Sequence, residues 1–304
     1  MNSTAAYLRY TWFVLGMVFL VILAGGVVRM TQSGMGCPDW PTCFGRWIPP
    51  THASQLPPDF EKYLSQQDID HTFNVYHTWI EYINRLLGAL LGVFIFIHTI
   101  WSFKKFRRSN RAAFFISLLM LLAVGFQGWL GKQVVDANLA VVKVTIHMIV
   151  ALIIAALPVL IISKLKQNKT VVPKPIMTLT VVTLLLVLLQ IVIGTQVREQ
   201  IDEISRNLEY EQRDKWISRL DEFFLIHRSF SWIVAAGCIF LCWQTWLVVP
   251  FRRHVIPILF FLACSFAAGL LMYFMNIPAW AQPLHLLFAS GLAISLFSFR
   301  LQMK

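Results

Sequence analysis

LTVVTLLLVLLQIVI, from Leu179 to Ile193, contains no charged residue and shows no alternation of apolar and polar positions. A strand with one face in lipid alternates, so this run excludes a transmembrane β-barrel and requires a helix. Crossing the hydrocarbon core takes about 20 apolar residues. At that length the run widens to about 176–197, and seven more segments qualify: about 10–30, 77–101, 112–133, 141–162, 223–247, 255–274 and 281–299. The whole composition agrees. Of 304 residues 57% are hydrophobic and only 13% charged, and the mean hydropathy is +0.64. A soluble domain needs more charge to cover its surface. The expected fold is therefore an all-α integral membrane protein of eight helices. The first segment is too long and too poor in small-residue cleavage signals for a signal peptide, and is expected to remain as helix one.

The net charge of +11 does not point to nucleic acid. Lys104, Lys105, Arg107, Arg108 and Arg111 crowd one loop, and Lys164, Lys166, Lys169 and Lys174 another, with no acid on that side. The positive-inside rule then places both termini and these loops in the cytoplasm, against anionic lipid, in a cell (inner) membrane. The two long loops, about 31–76 and 198–222, fall on the outer side. The first is proline-rich and turn-like; the second is charged enough to hold a short surface helix.

A repeat runs through the chain. Tyr82-Ile83-Asn84-Arg85 in helix two answers Leu225-Ile226-His227-Arg228 in helix six, and His147 in helix four answers His285 in helix eight. Asn84 and His147 are 63 residues apart, His227 and His285 58. Gly25 and Gly194 each stand four residues before an arginine, Arg29 and Arg198. The common order implies two pseudo-symmetric four-helix bundles, residues 1–165 and 166–304. Such bundles hold cofactors between facing helices.

Histidine inside a membrane helix is costly and marks a functional position by default. His147, His227 and His285 lie at similar depth near the outer face, where facing helices could each give an axial imidazole to haem iron. No further ligands at that depth suit zinc. Hydrogen bonding between helices is the plainer alternative. Arg228 suits a haem propionate or simply snorkels to the interface. Glu81 and Asn84 share one face of helix two; Glu81 is either ion-paired with Arg85 or an acid/base group beside a cofactor. Arg85, Arg228 and Asn84 are accordingly candidate cofactor contacts. Gly88 and Gly92 continue this face. Cys37 and Cys43, on the oxidising side, can form a disulfide, either a staple or a redox pair. Cys238, Cys242 and Cys264 read as packing residues. His52 and His71 in the first outer loop, His98 at the inner end of helix two and His254 in a cytoplasmic loop read as solvated or interfacial. His77 lies two turns before Asn84 on nearly the same face.

Gly34-Met35-Gly36-Cys37-Pro38-Asp39-Trp40-Pro41-Thr42-Cys43-Phe44-Gly45 resembles the first outer loop of haem A synthases, and Glu81-Tyr82-x-x-Arg85, His147, His227-Arg228 and His285 fit that family's order. The resemblance spans nearly the whole chain. It implies an eight-helix enzyme that oxidises a methyl group of haem O to the formyl group of haem A for terminal oxidase assembly. It further implies a haem b held by His227 and His285, with the substrate in the first half and Glu81 as the catalytic carboxylate. Family members with this cysteine pair often have a second pair in the other long loop, and residues 198–222 contain none.

Asn84 departs from the family, which commonly has histidine there as an axial ligand. Three arrangements remain: His147 as the sole protein ligand, His77 reaching in, or no haem in this half. The first is favoured because an open position on iron suits oxygen activation. Expected partners are haem O, an electron donor, haem O synthase, oxidase assembly factors, membrane lipid and a second copy of the chain, but no nucleic acid. A non-catalytic b-type membrane cytochrome in electron transfer and a haem-handling assembly protein are the alternative functions.

Overall fold

The computed structural model describes residues 2–60, 73–137, 139–166 and 169–304; His71 lies outside them. Eight long helices run in chain order: α1 (Asn2–Met30), α2 (Val75–Phe106), α3 (Arg111–Asp136), α4 (Val141–Lys166), α5 (Lys174–Asn207), α6 (Glu222–Thr245), α7 (Arg252–Phe274) and α8 (Ala281–Leu301). Each lies in a segment long and apolar enough to cross a membrane. Among the described residues there is no β-strand, only isolated bridges.

Several helices outrun their apolar segments. α1 starts at Asn2 and not near residue 10, and α5 continues to Asn207, well into the charged loop. Hydropathy marks only the lipid-crossing part of a helix, whereas local pairs extend it: Arg198 reaches Asp202 one turn on at 2.6 Å. The starts are set by side chains that accept otherwise unpaired amides. Asn74 Oδ1 accepts from Tyr76 N at 3.0 Å and His77 N at 3.3 Å, Asn110 from Ala113 N at 3.2 Å, and Asp221 from Phe223 N at 2.8 Å.

The chain divides into two compact units, Met1–Pro158 and Val159–Lys304. In the first, α2 packs on both α1 and α3. In the second, α5 packs on α6, α6 on α7, α7 on α8, and α8 back on α5, closing a four-helix ring. The strand-like stretch before α5 ties down the end of the chain: Thr170 N donates to the Gln302 carbonyl at 2.8 Å and Lys304 N to the Thr170 carbonyl at 3.0 Å. Large apolar side chains remain on the outside, Leu122 at 63% exposure and Trp243 at 70%, as lipid-facing helices require. Several buried hydroxyls are satisfied within their own helices, as where Thr183 and Thr245 donate to the carbonyls of Leu179 and Leu241, each at 2.8 Å.

Two histidines differ from their sequence reading. His98 is neither solvated nor interfacial; it is fully buried, with Nε2 3.0 Å from Thr11 Oγ1 and Nδ1 2.7 Å from Ser117 Oγ. It knits α1, α2 and α3 together, and the two hydroxyls offset the cost of burying the ring. His254 belongs to the first turn of α7 and stacks on Phe299 of α8 with ring centroids 6.3 Å apart.

Candidate functional site

Two constellations stand out. In the first, the start of α2 grips the loop before it. Cys37 and Cys43 form a disulfide. Asp39, inside the ring they close, accepts from Phe44 N at 2.5 Å, from Gly45 N at 3.0 Å, and from the Thr42 hydroxyl. These bonds hold Phe44 and Gly45 in the left-handed region, at φ 54° and 71°. Gly36 crosses so near α2 that a Cβ there would stand 2.4 Å from the His77 carbonyl oxygen. Only glycine allows that approach.

Glu81 and Arg85 lock this loop in place. Glu81 is 4% exposed. Its Oε1 accepts from Arg85 Nε at 3.1 Å and Nη2 at 2.5 Å, and its Oε2 from Cys37 N at 2.8 Å. Arg85 also donates to the carbonyls of Asp39 at 2.6 Å, Thr42 at 3.0 Å and Cys37 at 2.8 Å. A guanidinium has five N–H donors, and these contacts use all of them. Thr78, Trp79 and Tyr82 add bonds to the carbonyls of Gly36, Pro50 and Trp47. One turn-rich loop is thus bolted to one helix by its polar face.

The second constellation is histidine-based. In the second unit His227 of α6 and His285 of α8 face each other with ring centroids 6.4 Å apart and planes at 71°. His285 Nδ1 lies 2.9 Å from the Ser265 carbonyl. A carbonyl only accepts, so Nδ1 carries the proton and the Nε2 lone pair is free. His227 Nδ1 is buried without a hydrogen-bond partner. Each ring is backed by a glycine of the neighbouring helix: a Cβ on Gly194 would stand 3.0 Å from His227 Cε1, and one on Gly269 3.5 Å from His285 Cε1. Gln190 clamps the base of His227 by donating to its carbonyl at 2.9 Å.

The first unit repeats part of this plan around His147. Gln127 donates to the His147 carbonyl at 2.9 Å, Gly131 backs the ring at 3.5 Å, and His147 Nδ1 is buried and unpaired. Asn84 Oδ1 is buried and unpaired as well. Arg228 is exposed, its guanidinium 5.8 Å from the Phe224 ring centroid and 5.9 Å from that of Tyr273. His77 sits in the first turn of α2, and His52 precedes a short turn at Ala53–Gln55.

A family model described as cytochrome oxidase assembly protein, COX15-CtaA, matches residues 8–297. The chain belongs to the COX15-CtaA family. Its curated relatives include the Heme A synthase of Shewanella oneidensis, 31% identical over 145 residues that cover 47% of this chain and 41% of that protein. The Heme A synthase of Flavobacterium psychrophilum is 22% identical over 90% of this chain and 91% of its own length. That of Alkalihalophilus pseudofirmus is 30% identical over 52% of the chain and 46% of its own. The matches to the Shewanella and Alkalihalophilus proteins thus span less than half of each. With eight apolar helices, this member of the COX15-CtaA family is a multi-pass membrane protein.

The glutamine and glycine brackets were not anticipated from the sequence of this COX15-CtaA chain. A signal for them exists. Gln127-x-x-x-Gly131 and Gln190-x-x-x-Gly194 each place a costly amide and a bare backbone one turn apart inside an apolar run.

Proposed function

We propose that the chain is a haem A synthase, oxidising a methyl group of haem O to the formyl group of haem A for terminal oxidase assembly. The facing pair His227 and His285 is the observation that carries this reading. Imidazoles bind a metal at about 2 Å from nitrogen, so two rings on opposite sides of one iron have centroids roughly 6 Å apart, close to the 6.4 Å here. Among the described residues no group of three or more His, Cys, Asp or Glu could hold a metal alone. A two-histidine site suits an iron whose other ligands come from a macrocycle. The residues therefore fit a resident haem b in the second half, residues 166–304. When bound, it supplies one-electron transfer.

The chain's own residues divide the remaining work. Ser265 fixes the His285 tautomer, and Gln190 and Gly194 fix the place of His227. In the first half, residues 1–165, His147 holds haem O as substrate. Glu81 is the carboxylate available to take a proton from the reacting centre, and Arg85 positions it together with the Cys37–Cys43 loop. Arg228, at the end of α6 that bears His227, suits a haem carboxylate. The hydroxylation needs electrons as well as oxygen, and a partner donor supplies the electrons. The basic loops set both termini in the cytoplasm of the cell's inner membrane.

Co-expression with a haem O-producing enzyme, then mass analysis of the extracted haem, tests the reaction. Haem A is the expected product, and its formation should fall sharply in Glu81→Ala. Folded, loaded protein yielding only haem O would refute the activity. Gly194→Ala tests the second half separately. Its methyl would press on the His227 ring, so the variant should keep its fold but show a shifted low-spin haem spectrum. An unchanged spectrum would mean that His227 is not an iron ligand.

A further inference from the structure

We infer that iron in the first half has one protein ligand, His147, and an exchangeable position opposite, faced by the Asn84 carboxamide. This rests on the haem-binding reading above. Three imidazoles each have a glycine behind them: Gly131 for His147, Gly194 for His227 and Gly269 for His285. The repeat supplies a fourth glycine, Gly25, four residues before Arg29 as Gly194 is before Arg198. A Cβ on Gly25 would meet nothing within 4 Å, where one on Gly194 would press on the His227 ring at 3.0 Å. The clamp has gone with the ring. Gln190, which holds the His227 carbonyl, is matched by Val21.

Asn84 stands where the ring would start. Its side chain is shorter than that of histidine, and a neutral amide oxygen is a poor ligand for iron beside imidazole. Its Oδ1 is nevertheless buried and unpaired. A buried amide with unused hydrogen-bonding capacity is costly to keep. Oδ1 only accepts, so it is satisfied by a proton-bearing ligand such as water between it and the metal, while the amide N–H groups can donate to a diatomic ligand there.

The test uses full-length protein purified from cells that make haem O, with carbon monoxide as the probe. One haem population should be high-spin when ferric and bind carbon monoxide when ferrous. The other should stay low-spin and bind none. Asn84→His should convert the first population to low-spin and abolish its carbon monoxide binding. Asn84→Ala should keep the binding but shift the C–O stretching frequency, and His77→Ala should change neither population. A full haem complement, all low-spin and silent to carbon monoxide in the unsubstituted protein, would overturn this inference alone. So would a spectrum that changes in His77→Ala. Protein that is loaded with haem b but never contains haem O or haem A would overturn both this inference and the substrate site of the proposed function.

Discussion

Arg85→Ala is expected to be the most destabilising single substitution in the chain. The Arg85 side chain is 14% exposed and that of its partner Glu81 5%. Removing one member of such a buried pair typically costs about 3–5 kcal/mol, because the other charge is left without compensation. Here three loop carbonyls lose a donor too, each worth about 1 kcal/mol. The thermal midpoint of the detergent-solubilised protein should drop by well over ten degrees, and the Cys37–Cys43 loop should become open to proteases. Arg85→Lys should recover little, since one ammonium cannot span the fork that Arg85 fills. Glu81→Gln should be milder, because an amide oxygen still accepts from Arg85. A midpoint within a degree or two of the unsubstituted protein would show that the loop is held by something other than this pair.

The second large effect is expected at His227. If His227 and His285 hold a haem b as proposed, His227→Ala takes away one of its two imidazole ligands and should eliminate the bis-histidine low-spin signal entirely. Haem b should be missing from the purified protein, while haem O stays. His285→Ala should do the same, and the Ser265 carbonyl that orients it would lose its donor. His98→Ala is the control. That residue is fully buried where His227 is partly so, but both its ring nitrogens are taken by Thr11 and Ser117, so its loss should lower stability and leave the haem spectrum intact. A low-spin signal persisting in His227→Ala would show that the iron is ligated elsewhere.

The contrast between His98 and His227 shows what sequence could supply. Eight helices were legible because lipid forces a continuous apolar run on each, as from Leu179 to Ile193. The disulfide was legible as an option from the six-residue spacing, in a loop expected on the oxidising side. Histidines in membrane helices all look alike in sequence, and only their partners separate a satisfied core residue from one with a free nitrogen. His98 read as peripheral because it lies near a helix end, yet that end is wrapped by α1 and α3. Glu81 and Arg85 were legible as a pair by their i, i+4 spacing. Their grip on Cys37, Asp39 and Thr42 was not, since it joins residues more than forty positions apart. Gln190 sat in plain view within the deciding run. An amide there signals a role, but its target is a backbone carbonyl 37 residues away, which no periodicity reveals.

The central claim is that the two halves hold different haems: a resident haem b on His227 and His285, and the substrate on His147. Analysis of haem by type in purified His147→Ala protein, from cells producing haem O, tests it most directly. The expected result is haem b retained with its low-spin spectrum, and neither haem O nor haem A bound. Haem O or haem A remaining on His147→Ala, with haem b lost instead, would contradict it.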